Sequence, residues 1–310
     1  MRISLVGILC IVNLGRNCLG HTQGWSRLFE DEISEFHDEE LVWAQGGGAV
    51  PSWLKGRYIK NGPARLNFPN QTRYYTNWMD GWGKLHSFAF DGQQLKFSGK
   101  LLEPPLYKAT LAAGDLVPST TLGGLTPTDW TMAEKLEIAS KYASQTAYDN
   151  QNVLPFKVGD NYIAATDWPM VTYFDPDTLN TLGVEHPKQV STGQCAHWMK
   201  EPGTENTLNF QMHLGVLGTS FHLYRWRPED AYRVCTHKYS LQIIPSLFQE
   251  PEEIAHFNPE MDSVIHSFST TETHAIFFFY PFVPNIGQMW AHNFHAFEVR
   301  KWNFIQSFIL

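Results

Sequence analysis

From Tyr58 onward, apolar residues recur in short runs broken by turn residues rather than at helical spacing. Leu85, Phe88 and Phe90 run into Asp91-Gly92, after which Leu95 and Phe97 follow. Asp-Gly between two such runs predicts a β-hairpin. Gly159-Asp160-Asn161 divides residues 153–158 from 162–166 in the same way, and Asp175-Pro176-Asp177 punctuates the run at 170–174. Runs at 207–214, 220–226 and 265–280 repeat the style. One helix is predicted over residues 131–143. Thr131 and Glu134 have capping-box spacing, and Met132, Leu136, Ile138 and Ala139 form a partly apolar face. Many short strands with few helices predict an all-β fold: a sandwich, a barrel or a propeller. No tight blade repeat decides among them.

Composition supports one large core. The 310 residues can form a single all-β unit, and 43% hydrophobic content with 14% aromatics fills it. Only 17% of residues are charged, which argues against extended disorder. A formal charge of −8 and the lack of a basic run exclude a general nucleic-acid binder. Residues 1–20 carry Arg2, a short apolar run and small residues at Cys18 and Gly20. They read as a secretory signal peptide, or else as a misassigned gene start. Residues 21–49, with Asp31, Glu32, Glu35, Glu39 and Glu40, read as an acidic solvated lead-in hinged at Gly46-Gly47-Gly48. The folded domain is expected over 50–310. Cys195 and Cys235 lack the Cys-x-x-Cys spacing of zinc or redox sites and read as buried thiols or a disulfide.

The segments that carry chemistry are few and far apart. Val50-Pro-Ser-Trp-Leu-Lys-Gly-Arg-Tyr-Ile-Lys-Asn-Gly-Pro63 opens the domain, and Met79-Asp-Gly-Trp-Gly-Lys-Leu-His86 follows. His197 stands in Gln-Cys-Ala-His-Trp, and His266 in Ser-Val-Ile-His-Ser-Phe, both in strand-like settings. Together these phrases resemble the carotenoid cleavage oxygenases, or carotenoid dioxygenases, over residues 50–298. Phrases such as Phe277-Phe-Phe-Tyr-Pro281 suggest the animal branch, near β-carotene oxygenases and carotenoid isomerooxygenases.

That resemblance implies a seven-bladed β-propeller with one Fe(2+) ion held by four histidines on its axis. It assigns ligation to His197 and His266; without it, each would read as an ordinary surface or core histidine. Neutral imidazole suits ferrous iron, and wide spacing suits a propeller in which separate strands face one axis. The family usually has proline after the first histidine, where this chain has Trp198. Asp167 stands where the family has a Glu that orients a metal-bound histidine, and the resemblance gives it that supporting role, although the later histidine that the Glu serves is not shown by this chain. Its alternative is a turn aspartate before Trp168-Pro169. The family's third-ligand phrase finds only a partial echo around His295, which reads as part of an ordinary strand. His86 and Asn61-Gly62-Pro63 read as structural, the latter as a tight turn where the first strand enters its sheet.

The chain is therefore expected to be the N-terminal part of a propeller, with two of four iron ligands. The implied activity is oxidative cleavage of a carotenoid or apocarotenoid double bond by dioxygen, giving aldehydes such as retinal. The alternative is a catalytically inactive truncated member acting as a polyene-binding or interaction protein. Peripheral membrane contact is expected through residues 106–125, and more weakly through 281–286. Location follows from the N-terminus: cytoplasmic or membrane-associated by resemblance, secreted if the leader is genuine.

Overall fold

The computed structural model describes residues 30–43, 47–75, 77–121, 129–144, 146–185, 191–215, 218–228, 251–259, 265–279, 282–284 and 300–302. Strands β1 (Phe36–Glu40), β2 (Lys55–Arg65), β3 (Trp82–Asp91) and β4 (Leu95–Leu101) form an antiparallel sheet in the order β1-β4-β3-β2. Helices α1 (Pro105–Ala113) and α2 (Met132–Ala143) follow. Strands β5 (Leu154–Val158), β6 (Asn161–Ala165), β7 (Val171–Phe174) and β8 (Thr181–Glu185) make a four-stranded meander. In the third sheet, β9 (Gly193–Gln194) and β10 (Met199–Lys200) both pair with β11 (Thr207–Gly215), which continues to β12 (Gly218–Trp226) and β13 (Glu252–Phe257). Two further pairs are β14 (Phe268–Thr270) with β15 (Ala275–Phe277), and β16 (Phe282–Pro284) with β17 (Arg300–Trp302).

Consecutive sheets bury their apolar faces against each other. Leu85 and Leu102 pack with Ala164, Phe174 and Leu179, joining the first sheet to the second. Val158, Ile163, Val171 and Tyr173 pack with Trp198, Tyr224 and Trp226, joining the second to the third. Leu208, Phe210, Phe221 and Leu223 pack with Ile265, Phe268 and Phe277, joining the third to the β14–β15 hairpin. Strand β12 shows why one strand serves two neighbours. Its period of two turns Phe221 and Leu223 to one core and Tyr224 and Trp226 to the other. Successive antiparallel sheets packed in chain order are propeller blades, and among the described residues they do not close into a ring.

The predicted turns form as read. Asp91 Oδ1 accepts from the backbone N–H of Gln93 at 2.8 Å and of Gln94 at 2.7 Å, while Gly92 adopts φ +89°. Gly159, at φ +56°, and Asp160 join β5 to β6, and Asp175 Oδ1 accepts from Asp177 and Thr178 between β7 and β8. The capping box forms too: Thr131 N–H donates to Glu134 Oε2 at 2.8 Å, and Glu134 N–H to Thr131 Oγ1 at 3.3 Å.

Two readings change. Asn61-Gly62-Pro63 is not a turn; these residues lie inside β2, opposite Leu85, Lys84 and Gly83 of β3. Proline is tolerated there because β2 is an edge strand. The acidic lead-in is not merely solvated, since β1 pairs along β4 while its acidic side chains stay exposed. Buried Lys84 holds this segment, donating Nζ–H to the carbonyls of Glu32 at 3.2 Å and Ser34 at 2.6 Å. Residues 106–125 contain α1, whose Tyr107 is buried with the downstream Leu116 against Phe68 and Trp82. Leu111 stays exposed, and Leu122 and Leu125 lie outside the described residues. Among the described residues, no helix is long and apolar enough to cross a membrane. Residues 1–20, Cys235 and His295 are outside the described residues, whereas Cys195 is a free, buried cysteine.

Helix α1 begins at Pro104 with no cap from its own side chains. Asp149, distant in sequence, takes that role by accepting the Leu106 N–H at 2.8 Å. Burial pushes the Asp149 carboxyl up to about 7, against the opposing pull of that N–H and of Lys141. Between pH 3.8 and about 7 the unfolded chain has released this proton while the folded chain holds it, so stability falls as pH rises through that window. Asp149→Asn keeps an acceptor and removes the titration. Urea unfolding across this range is expected to show a flatter pH dependence in the variant; an unchanged slope would place the titration elsewhere.

Candidate metal centre

His197 sits on a distortion of the third sheet. Gln194 pairs with Gln211 and Met199 with Leu208, so the four residues 195–198 lie opposite only two on β11. A bulge of this kind re-aims a side chain out of the pleat. Its ends are anchored in different cores: Cys195 packs with Phe210 and Phe268, and Trp198 stacks near Trp226 with ring centroids 4.7 Å apart. The residue that departs from the family pattern therefore fills the space between two sheets. His197, lying between these anchors, is only partly buried. Neither it nor His266 lies in a strand, contrary to the sequence reading.

His266 directly precedes β14 and is also held by its neighbours. Ile265 and Phe268 are both buried in the cluster that contains Cys195. These anchors bring the two histidines together across 69 residues of sequence: Nε2 of His197 and Nε2 of His266 stand 2.9 Å apart, with ring planes at 84°. His266 Nδ1 faces both carboxylate oxygens of Asp167, at 2.9 and 3.0 Å.

Asp167 thus has a histidine to orient, and that histidine is His266 rather than a later one. The shorter side chain reaches because the backbone of its loop is held close to β9. Gln194 N–H donates to the Asp167 carbonyl at 2.8 Å, and Gln194 Nε2 donates to the carbonyls of Thr166 at 3.1 Å and Met170 at 2.9 Å. Gly193 helps, since a Cβ there would meet Met212 at 3.0 Å and the Asp167 carbonyl at 3.4 Å. The sequence offered no periodicity or motif that marked Gln194.

The electrostatics separate the two imidazoles. The hydrogen bond to Asp167, with the attraction of its charge, raises the His266 pKa against the effect of burial. Burial, with the neighbouring His266 charge, lowers that of His197. With Nδ1–H donated to Asp167, neutral His266 presents a lone pair at Nε2, the orientation a metal-bound histidine takes. Two imidazole nitrogens each roughly 2 Å from one ion and at right angles stand about 3 Å apart, which the observed separation fits. Among the described residues, no group of three or more His, Cys, Asp or Glu side chains could hold a metal. The Cys195 Sγ lies against the backbone carbonyls of His197 and His266, and burial pushes its thiol up to about 12. His86 is elsewhere, on β3 and stacked on Phe97 at 5.8 Å.

The chain is similar to known proteins over most of its length. The chain is 29% identical to the β,β-carotene 15,15′-dioxygenase of Gallus gallus over 78% of its length and 45% of the relative's. It is 27% identical to the mitochondrial carotenoid-cleaving dioxygenase of Mustela putorius furo, covering 81% of this chain and 44% of that one. It thus spans about half the length of the curated relatives it matches. Among solved structures, a Synechocystis apocarotenoid oxygenase variant superposes with a TM-score of 0.67 at 18% identity, covering 90% of this chain and 53% of that one. A cobalt-substituted form of the same oxygenase gives 0.66 at 17% identity, with the same coverage. These likenesses establish the propeller fold. A family profile described as retinal pigment epithelial membrane protein (RPE65) matches residues 31–306, and the chain belongs to that family of carotenoid oxygenases.

Proposed function

We propose that this chain supplies half of a ferrous-iron centre, in a protein that cleaves a carotenoid or apocarotenoid double bond with dioxygen to give aldehydes such as retinal. The observation that carries this reading is the convergence of His197 and His266 on one point, with Asp167 behind His266. His197 and His266 would hold the metal through Nε2, and Asp167 would fix the tautomer and ring plane of His266. The ion, when bound, would activate dioxygen beside the polyene. The bulge at 195–198 holds His197 in place, and the Gln194 contacts hold the Asp167 loop against the same strand. Rigid placement of this kind is the protein's share of such chemistry.

A second reading rests on a separate observation. Two imidazoles are all that the described residues offer as donors, and the His266 side chain is 53% exposed. Iron held by two neutral donors is readily lost. A chain limited to these donors would act as a polyene-binding or interaction protein. Membrane contact of the exposed Leu111 region belongs to the oxygenase reading, where an apolar substrate has to be drawn from lipid.

The donor assignment is tested by titrating the 310-residue chain with Co(II) and following its visible absorption. His197→Ala and His266→Ala are each expected to abolish binding while leaving the folded circular dichroism intact. Unchanged binding in either would remove that residue from the site. With Fe(II), β-carotene and apocarotenoids, this chain is expected to release little or no aldehyde. Stoichiometric iron retention with aldehyde formation would show further donors in the chain, His295 being the first to test.

Acid should release the metal, because binding requires His266 neutral. Since Asp167 raises the His266 pKa, loss of binding is expected at a higher pH than it would be without that carboxylate. Asp167→Asn is expected to move that loss to lower pH and to weaken binding in alkaline solution by roughly 10–100-fold. Co(II) titrations at a series of pH values measure both effects; an unshifted pH profile would exclude Asp167 as the partner.

A further inference from the structure

We infer that Cys195 is a positioning residue: its thiol ties together the two histidine-bearing segments and sets the approach of His197 to His266. The inference rests on the metal reading above and names a contact that reading did not use. The Cys195 Sγ lies 3.3 Å from the His197 carbonyl and 3.2 Å from the His266 carbonyl, and it accepts the His197 N–H at 3.3 Å. One side chain therefore touches the backbone of both histidines, although 71 residues separate it from the second.

The surroundings explain why a thiol suits the position. Cys195 is fully buried among Leu208, Phe210 and Phe268, where a small apolar side chain packs without a void. The same buried position faces two carbonyls that need a donor, since burial without one is costly. The S–H meets both demands, shared between two acceptors across ordinary sulfur contact distances. Its own backbone is pinned, with Cys195 N–H donating to the Phe210 carbonyl at 3.0 Å. The sulfur is thus a fixed post on the third sheet to which the segment before β14 is fastened. It lies behind the histidine backbones, while the imidazole Nε2 atoms meet each other in front. Truncating it would let the two segments drift independently, and the nitrogen separation with them.

The test compares Cys195→Ala and Cys195→Ser with Leu223→Ala, all in the 310-residue chain titrated with Co(II). Leu223 lies in the same buried cluster and touches neither histidine carbonyl through a hydrogen bond, so it reports what loss of packing alone does. Cys195→Ala is expected to weaken Co(II) binding by roughly 10–100-fold, the range found when partners behind metal ligands are removed, and to shift the cobalt ligand-field bands. Cys195→Ser, which keeps a donor, is expected to recover most of the affinity and the band positions. Leu223→Ala is expected to lower the unfolding midpoint while leaving Co(II) affinity and bands unchanged. Wild-type affinity in Cys195→Ala would overturn the inference and leave the metal reading standing. A sulfur-to-cobalt charge-transfer band in the wild type, absent from Cys195→Ser, would overturn it by making the sulfur a ligand. If Cys195→Ala does not fold, Cys195→Ser decides: loss of binding in the folded serine variant would show that the site does not depend on a donor at this position. Failure of the wild type to bind Co(II) at all would remove the metal reading itself.

Discussion

The apolar cluster between the third sheet and the β14–β15 hairpin is the constraint on which the centre depends. Ile265 and Phe268 bracket His266 and are buried in it, and Cys195 enters the same cluster two residues before His197. Burying a side chain of this size stabilises by roughly 1.5–3 kcal/mol, far more than a contact between two half-exposed imidazoles contributes. Packing from beneath therefore brings the two segments together, through the side chains that flank each histidine. Phe210 illustrates the density of that support, with Phe221, Phe268 and Phe277 all at edge-on ring contacts of 5.5 to 5.6 Å.

The polar contacts around the centre form a hierarchy. Gln194 holds the loop that carries Asp167, Asp167 holds His266, and the bulge at 195–198 holds His197. Each tie runs to backbone or to a carboxylate. The outcome is a pair of imidazoles with different proton affinities, His266 raised by its carboxylate and His197 lowered by burial. Nε2 of each ring meets the other at 2.9 Å. Asp167 reaches His266 from a loop held close to β9 by the Gln194 contacts.

A blade-by-blade architecture accounts for the way these ties reach across the chain. Each sheet buries one face against its predecessor and the other against its successor, as Tyr224 and Phe221 of β12 do. Residues far apart in sequence are thereby brought together wherever neighbouring blades face the same side. Asp167 after β6, His197 beside β11 and His266 before β14 belong to three successive sheets, and they meet at one edge of all three.

Local rules made much of this legible in the amino-acid sequence. Asp91-Gly92, Gly159-Asp160 and the Asp175 turn marked hairpins because their conformations are set by a few neighbouring residues. Thr131 and Glu134 marked the start of α2 for the same reason. His197 and His266 were singled out by the phrases around them. Other features were decided only by tertiary structure. An isolated reading of Asn61-Gly62-Pro63 favours a turn, yet pairing along β3 keeps it extended at the sheet edge. Polar residues 36–40 carry no strand signal, and β4 supplies the partner that makes them one. Cys195, Gln194 and the pairing of Asp167 with His266 are long-range contacts between segments on different blades. No periodicity along the chain encodes such contacts, because the energy that selects them comes from burying whole faces of neighbouring sheets against each other.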